Sequence, residues 1–240
     1  MKGLIDTHFH LDHYKNYREQ AQKINELEQY TICVTNSPGI FYSCKRMLPE
    51  SQYLRHAIGF HPQESTLKKN DLSDFLKLLE RTRFVGEIGL DFSKRSNNDF
   101  DFQIFAFERI IERCSKDSKI MTVHVRKAEK EAYDILEKYN PQKCIIHWYT
   151  GDEKFLHKLV GLGCYFSVNT NMVQSADAEK YKIIPQNRIL IESDGPYTKI
   201  SGKAYDPTLL IDAYERIARF FEDKDLVKHV FNNFKRILGV

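Results

Sequence analysis

The sequence lacks several features that would assign it to a broad class at once. No apolar run in its 240 residues reaches the roughly 18 residues that a membrane span requires, and its first residues lack the apolar stretch of a signal peptide. The net charge of +3 is too balanced for a protein that grips long duplexes over its whole surface. Low-complexity tracts, linkers and repeats are also absent, so we predict a single domain over residues 1–240.

The cysteines exclude two kinds of site. There are five, an odd number, and no two are spaced as C-x-x-C, so neither a disulfide framework nor a thiolate-bound structural zinc is indicated. Cys33, Cys144 and Cys164 lie in or beside strand-like apolar runs. We therefore expect buried, reduced thiols in a cytoplasmic protein that makes no membrane contact.

Short strand-like runs alternate with polar, helix-favouring stretches along the chain. The runs are Leu4–Asp6, Thr31–Thr35, Arg55–Gly59, Phe84–Ile88, Ile120–Val123, Lys143–Ile146, Tyr165–Val168 and Arg188–Ile191. Eight strands alternating with helices predict an α/β fold, the (β/α)8 TIM barrel. An open, doubly wound sheet is the structural alternative, but no G-x-G-x-x-G follows the first strand and no Walker loop is present.

Two of the helical stretches carry specific predictions. In the first, Phe100–Lys116, apolar residues recur at helical spacing: Phe102, Phe105, Ile110, Ile111 and Cys114. The second, Leu209–Phe221, follows Asp206-Pro207, and we expect it to be the capped terminal helix.

Histidines gather where the predicted strands end. Five of the nine fall at or just after the end of such a run: His8, His10, His61, His124 and His147. In a barrel the carboxyl ends of the strands carry the catalytic side chains, so these positions suit a site. His8 and His10 are two residues apart on a strand, point the same way and suit a divalent metal, with a solvated strand end as the alternative.

Two carboxylates complete the candidate set. Glu87 lies within an apolar strand, where it must meet a cation or stay protonated, and an ion pair with an arginine is the structural alternative. Asp194 follows the eighth strand and could both ligate a metal and accept a proton from water. With four of the five imidazoles, all but that of His61, these residues match two divalent ions that share a bridging carboxylate.

These residues stand in motifs that resemble the TatD family of metal-dependent hydrolases nearly end to end. The motifs are Asp6-Thr7-His8-Phe9-His10-Leu11-Asp12, Gly59-Phe60-His61-Pro62, Val85-Gly86-Glu87-Ile88-Gly89-Leu90-Asp91, His124-Val125-Arg126-Lys127-Ala128, His147-Trp148-Tyr149-Thr150-Gly151 and Glu192-Ser193-Asp194-Gly195-Pro196-Tyr197. The resemblance implies an amidohydrolase-like (β/α)8 barrel and a divalent-metal nuclease. Several stretches, among them Tyr165-Phe166-Ser167-Val168, look closer to the TatD-like subunit of bacterial Qat anti-phage systems, which implies protein partners in a defence complex.

The resemblance also implies a role for each site residue. It implies two divalent ions, of zinc, manganese or magnesium. The implied ligands are His8, His10 and Asp194 for one ion, His124 and His147 for the other, and Glu87 as the bridge between them. Asp194 and Glu87 are the implied catalytic residues, with Asp194 as the base, and His61 is implied to lie near the substrate rather than to be a permanent ligand.

Other residues are candidates for contacts with the substrate, which we expect to be a DNA end or a single strand. Arg126 could grip a phosphate oxygen, with a surface ion pair as the alternative. Trp148 could stack on a base or serve as a packing residue. Lys94 and Arg95, in a loop after Asp91, could guide the backbone or be solvated. Hydrolysis of a small lactone, amide or phosphoester, and a barrel subunit active only within a complex, are the alternative functions.

Overall fold

The computed structural model describes residues 3–64, 67–93 and 100–240. Its strands are β1 (Ile5–Phe9), β2 (Tyr30–Cys33), β3 (Leu54–His56), β4 (Ile58–Phe60), β5 (Phe84–Asp91), β6 (Ile120–Arg126), β7 (Cys144–His147), β8 (Tyr165–Val168), β9 (Ile189–Ile191), β10 (Lys199–Ile200) and β11 (Lys203–Ala204). Every residue of β5 is buried, as expected of a parallel strand covered on both faces. The predicted strands are confirmed, with shifted ends.

The strands β1 to β9 form a parallel barrel in chain order. Only Ala57 separates β3 from β4, and its N–H donates to the Cys33 carbonyl (2.9 Å), so these two strands fill one barrel position. At the seam between β9 and β1, the Asp194 N–H donates to the His8 carbonyl (2.9 Å) and the Thr7 hydroxyl donates to that of Ile191 (3.1 Å). The predicted (β/α)8 barrel is confirmed, and the open-sheet alternative is wrong.

Helices cover the outside of this barrel and bury one face each. They are α1 (Tyr17–Glu26), α2 (Pro38–Met47), α3 (Lys69–Leu78), α4 (Phe100–Lys116), α5 (Glu129–Tyr139), α6 (Glu153–Gly161), α7 (Thr170–Val173), α8 (Leu210–Phe221) and α9 (Leu226–Leu238). In α4 the buried face contains Ala106 and Phe107 rather than Phe105, which is 46% exposed. The apolar stripe that we predicted for this helix was therefore wrong at Phe105.

Two helices depart from the sequence predictions. A segment that we assigned to no element forms α2, in which Ser37 accepts the Ile40 N–H (3.3 Å) as N-cap and Pro38 takes the first helical position. At the other end of the chain, the helix predicted to be terminal is followed by α9. The cap before α8 is present, because the Asp206 carboxylate accepts the Thr208 N–H (3.1 Å) at the start of the short turn that leads into the helix.

Strand β5 departs from regular pairing beside Glu87. Its register against β4 and β6 shifts between Val85 and Ile88. Gly89 has φ +147°, and a Cβ there would lie 2.0 Å from the His124 carbonyl oxygen of β6. The neighbouring strand therefore requires a glycine at this position.

Within the described residues, all five cysteines are buried free thiols, as predicted. In the same part of the chain, no helix combines the length and apolarity needed to cross a bilayer.

The substitution Gly89→Ala tests this packing. We expect a loss of about 3 kcal/mol or more in the free energy of unfolding, because the new methyl group meets backbone and the residue is held at positive φ. Gly161→Ala is the matched control, since a Cβ at the end of α6 has nothing within 4 Å. Urea unfolding followed by circular dichroism measures both, and equal stability of the two variants would refute the packing constraint.

Candidate metal centre

The side chain of Glu87 lies among five imidazoles at the carboxyl ends of the barrel strands. Its two carboxylate oxygens divide these rings into two sets. Oε2 faces His8 Nε2 (3.4 Å) and His10 Nε2 (3.3 Å), while Oε1 faces His61 Nε2 (3.2 Å), His124 Nδ1 (2.8 Å) and His147 Nε2 (3.0 Å). One carboxylate thus joins two groups of nitrogen donors.

Asp194 lies on the side of His8 and His10. Its Oδ1 is 3.4 Å from His10 Nε2 and 3.6 Å from His8 Nε2, and these two nitrogens are 3.2 Å apart. This oxygen is buried and has no hydrogen bond within the described residues. The structure therefore places a second carboxylate against the imidazoles that face Glu87 Oε2.

The charge state of Glu87 follows from these neighbours. Burial raises the pKa of a carboxyl group, but the imidazoles around Glu87 more than offset it and hold its pKa well below the ordinary value. Burial likewise opposes charge on His10, yet Asp194 and Glu87 raise the pKa of this imidazole to about 10. Among the described residues the partners of Glu87 are imidazoles, so the alternative of an arginine ion pair is wrong.

The donor set fits divalent cations. Among the described residues, four groups have ligand atoms within 4.8 Å of one another. Three lie around Glu87 and Asp194: His8, His147 and Asp194; His8, His10 and Glu87; and His61, Glu87 and His124. The fourth, His10, Asp12 and His13, adjoins them through His10. Imidazole nitrogen and carboxylate oxygen without thiolate suit zinc and other first-row divalent metals. The structure brings all six predicted metal ligands together and adds His61, which lies as close to Glu87 as the others.

Two buried carboxylates that the sequence analysis did not assign contact the imidazoles from behind. Asp91 Oδ2 is 3.0 Å from His124 Nε2, and Glu192 Oε2 is 3.4 Å from His147 Nδ1. Burial acts to raise the pKa of Asp91, but hydrogen bonds from His124 and Ser93 lower it to about 2. The sequence could have pointed to both residues. Asp91 ends the motif that contains Glu87, and Glu192 begins the motif that contains Asp194.

A cavity of about 660 Å³ opens above this centre. The predicted contact residues His61, Arg126 and Trp148 line it, and so do Asn36 and Tyr197, which sequence reasoning missed. Arg126 is the one lysine or arginine among the lining residues that the structure describes.

The candidate contacts predicted from the sequence also included two basic loop residues. Lys94 and Arg95 lie outside the described residues. Their predicted role in guiding the nucleic-acid backbone therefore stays a prediction.

The family model for TatD related DNase matches residues 5–239. The chain belongs to this family. It is 29% identical to the uncharacterized metal-dependent hydrolase BU355 of Buchnera aphidicola over 99% of both chains. It is 26% identical to the deoxyribonuclease Tat-D of Schizosaccharomyces pombe over 77% of this chain and 58% of that protein.

A solved structure agrees with this assignment at the level of the fold. The TatD homolog YJJV of Escherichia coli superposes with a TM-score of 0.87, over 99% of this chain and 98% of that chain, at 19% identity. The resemblance seen in the motifs is thus confirmed, and the chain is a TatD-family metal-dependent hydrolase that acts on ester bonds.

Replacement of Glu87 tests the centre of this site. We expect Glu87→Gln to retain the fold but to lose most of its bound divalent metal, because the neutral amide cannot offset the cations that the imidazoles and Asp194 would hold. Elemental analysis after gel filtration in manganese or zinc buffer, with a thermal melt, measures both properties. Glu153→Gln on the surface of α6, where the side chain is 61% exposed, is the control. Equal metal content in the two variants would contradict the assignment of Glu87.

Proposed function

We propose that this TatD-family hydrolase is a two-metal nuclease that removes nucleotides from DNA ends or single strands. The observation that carries the proposal is the division of the Glu87 carboxylate between two sets of imidazoles at the floor of an open cavity. A carboxylate placed between two sets of ligands fits a two-metal site for phosphodiester hydrolysis, in which the ions lie about 3.5–4 Å apart. Bound divalent cations supply a Lewis acid for the phosphoryl group and lower the pKa of water towards neutrality.

Three side chains of the site have separate roles in this reaction. Asp194 Oδ1, which has no hydrogen bond within the described residues, is placed to accept a proton from the attacking water. Glu87 stays ionised among the imidazoles and holds the two halves of the site together. His61 lines the cavity, and its Nε2 lies 3.2 Å from Glu87 Oε1. At this place it can contact an oxygen atom of the substrate while it stays beside the metal ligands.

Substrate binding depends on two residues at the mouth of the cavity. Arg126 at the end of β6 is exposed and is suited to hold one non-bridging phosphate oxygen through a charge-assisted hydrogen bond. Trp148 packs partly against the core and also lines the cavity, so its ring can support a base. Among the described residues that line the cavity, Arg126 is the one lysine or arginine. This favours a substrate held at one end over a duplex bound along its length.

Digestion of labelled oligonucleotides tests this function. Single-stranded and duplex DNA labelled at either end should release short products in manganese or zinc, and a chelator should abolish the release. RNA oligonucleotides of the same sequence show whether the enzyme prefers deoxyribose or ribose. The lengths of the labelled products show the direction of digestion. A protein that leaves every oligonucleotide intact while it hydrolyses a lactone or a phosphotriester would refute the nuclease proposal.

Arg126→Ala tests the phosphate contact separately. We expect KM for an oligonucleotide to rise about 10-fold or more, because a charge-assisted hydrogen bond contributes roughly 1.5–3 kcal/mol, while kcat changes less. Arg109→Ala on α4, whose side chain pairs with Glu112 (3.0 Å) outside the cavity, is the control. An unchanged KM in the Arg126 variant would remove this residue from the substrate site.

A cytoplasmic location and a role within a bacterial anti-phage complex extend the proposal. Their support is the likeness of several sequence stretches to the TatD-like subunit of Qat systems. Size-exclusion chromatography with the products of neighbouring genes tests the complex. Co-elution with a defence protein supports the role, and a TatD-family protein that elutes alone contradicts it.

A further inference from the structure

One imidazole of the centre is turned the opposite way from the others. His124 faces Glu87 with Nδ1 (2.8 Å), whereas His8, His10, His61 and His147 face it with Nε2. A neutral imidazole carries its proton on one nitrogen only, so a ligand atom must be the unprotonated one. As a ligand through Nδ1, His124 must therefore carry its proton on Nε2, and as ligands through Nε2, His8, His10 and His147 must carry theirs on Nδ1. His61 differs, because its Nδ1 accepts the Gln63 N–H (3.1 Å) and its neutral ring carries the proton on Nε2.

Asp91 supplies the contact that fixes His124. Its Oδ2 lies 3.0 Å from His124 Nε2 and also accepts from the Gln63 amide (2.7 Å). Its Oδ1 accepts the Ser93 N–H (2.8 Å) and the Ser93 hydroxyl. Every partner of this buried carboxylate can thus act as a donor, and the proton of His124 is required on Nε2.

Glu192 makes the mirror-image arrangement behind His147. This fully buried carboxylate accepts from the Asn169 amide at Oε1 (2.9 Å) and from the Ser167 hydroxyl at Oε2. The orientation of the Asn169 amide is fixed in turn, because its Oδ1 accepts the Met172 N–H (3.1 Å). Glu192 Oε2 lies 3.4 Å from His147 Nδ1, where it favours the proton on that nitrogen.

The rings on the other side of Glu87 have no such support. The Nδ1 atoms of His8 and His10, like that of His147, are buried and make no hydrogen bond within the described residues. What distinguishes His147 is the carboxylate of Glu192 at 3.4 Å from its Nδ1, whereas the described carboxylates near His8 and His10 face their Nε2 atoms. Carboxylates behind metal-ligating histidines orient the ring and raise its basicity, and their loss typically lowers metal affinity about 10- to 100-fold. The two halves of the centre are therefore built differently.

We propose that Asp91 and Glu192 are positioning residues that impose opposite tautomers on His124 and His147, presenting Nδ1 of the first and Nε2 of the second as ligand atoms on one side of Glu87. The inference rests on the proposed metal site but not on the nature of its substrate. It assigns a role to two buried carboxylates that lie outside the predicted ligand set.

Asp91→Asn is the decisive variant, because it preserves shape and reverses the hydrogen bond to His124. The Gln63 amide, which donates to the same oxygen (2.7 Å), can turn to present its carbonyl to the new NH₂ group. The Ser93 N–H can only donate, so it holds the new amide oxygen in the place of Oδ1 and turns the NH₂ group towards His124. His124 Nε2 must then accept, and its proton moves to Nδ1, the atom that faces Glu87. We expect zinc affinity, measured by chelator competition, to fall about 10- to 100-fold.

NMR of histidine ring nitrogens in the zinc-saturated protein reads the tautomers without any substrate. The wild type should show the proton on Nε2 of His124 and on Nδ1 of His147. Glu192→Gln is the second variant, since the Asn169 amide holds the new carbonyl at the Oε1 position and the NH₂ group faces His147. It should lower zinc affinity in the same range and decides the matter if the Asp91 variant does not fold.

Asp223→Asn is the matched control, because Asp223 also contacts an imidazole, that of His229 (2.8 Å), but lies outside the cavity lining. Wild-type zinc affinity in the Asp91 and Glu192 variants, or the opposite tautomers in the wild type, would overturn the inference. Failure to cut nucleic acid, with the expected tautomers and affinities, would overturn the proposed function alone.

Discussion

The structure depends on one buried negative charge. Glu87 lies in the middle of a fully buried strand, and its side chain is only 4% exposed at the floor of the cavity, so water solvates its carboxylate poorly. An isolated charge in such a place is prohibitively costly, so the barrel must surround it with positive or polarisable partners. Five imidazoles meet this need from both sides of the carboxylate, and the same arrangement makes a centre for divalent cations.

The barrel explains how distant parts of the chain reach this one carboxylate. Parallel strands in chain order place all their carboxyl ends at one rim, so histidines separated by more than a hundred residues become neighbours. The irregular register of β5 and the close approach of β6 at Gly89 set the place of Glu87 within that rim. Behind the imidazoles, Asp91 and Glu192 extend the polar network away from Glu87 to Ser93, Ser167 and Asn169.

Much of the fold and the site could be predicted from the sequence, because the information was local. Strand-like runs that end in histidine, one acid inside an apolar run and a second acid after the eighth run identify the rim and its six candidate ligands. The contacts of Asp91 with His124 and of Glu192 with His147 could not be predicted, since they join different strands and depend on ring orientation. Helix α2 was missed because Ser37-Pro38-Gly39 has the composition of a turn, although in the structure the serine and proline start a helix.

The most direct measurement of the central claim is anomalous diffraction from crystals grown with manganese or zinc, recorded on both sides of the metal edge. The account predicts two peaks on either side of the Glu87 carboxylate, about 3.5–4 Å apart. One peak would lie near His8, His10 and Asp194, and the other near His124 and His147. A single peak, or peaks that do not contact Glu87, would contradict the bridging role on which the proposed chemistry depends.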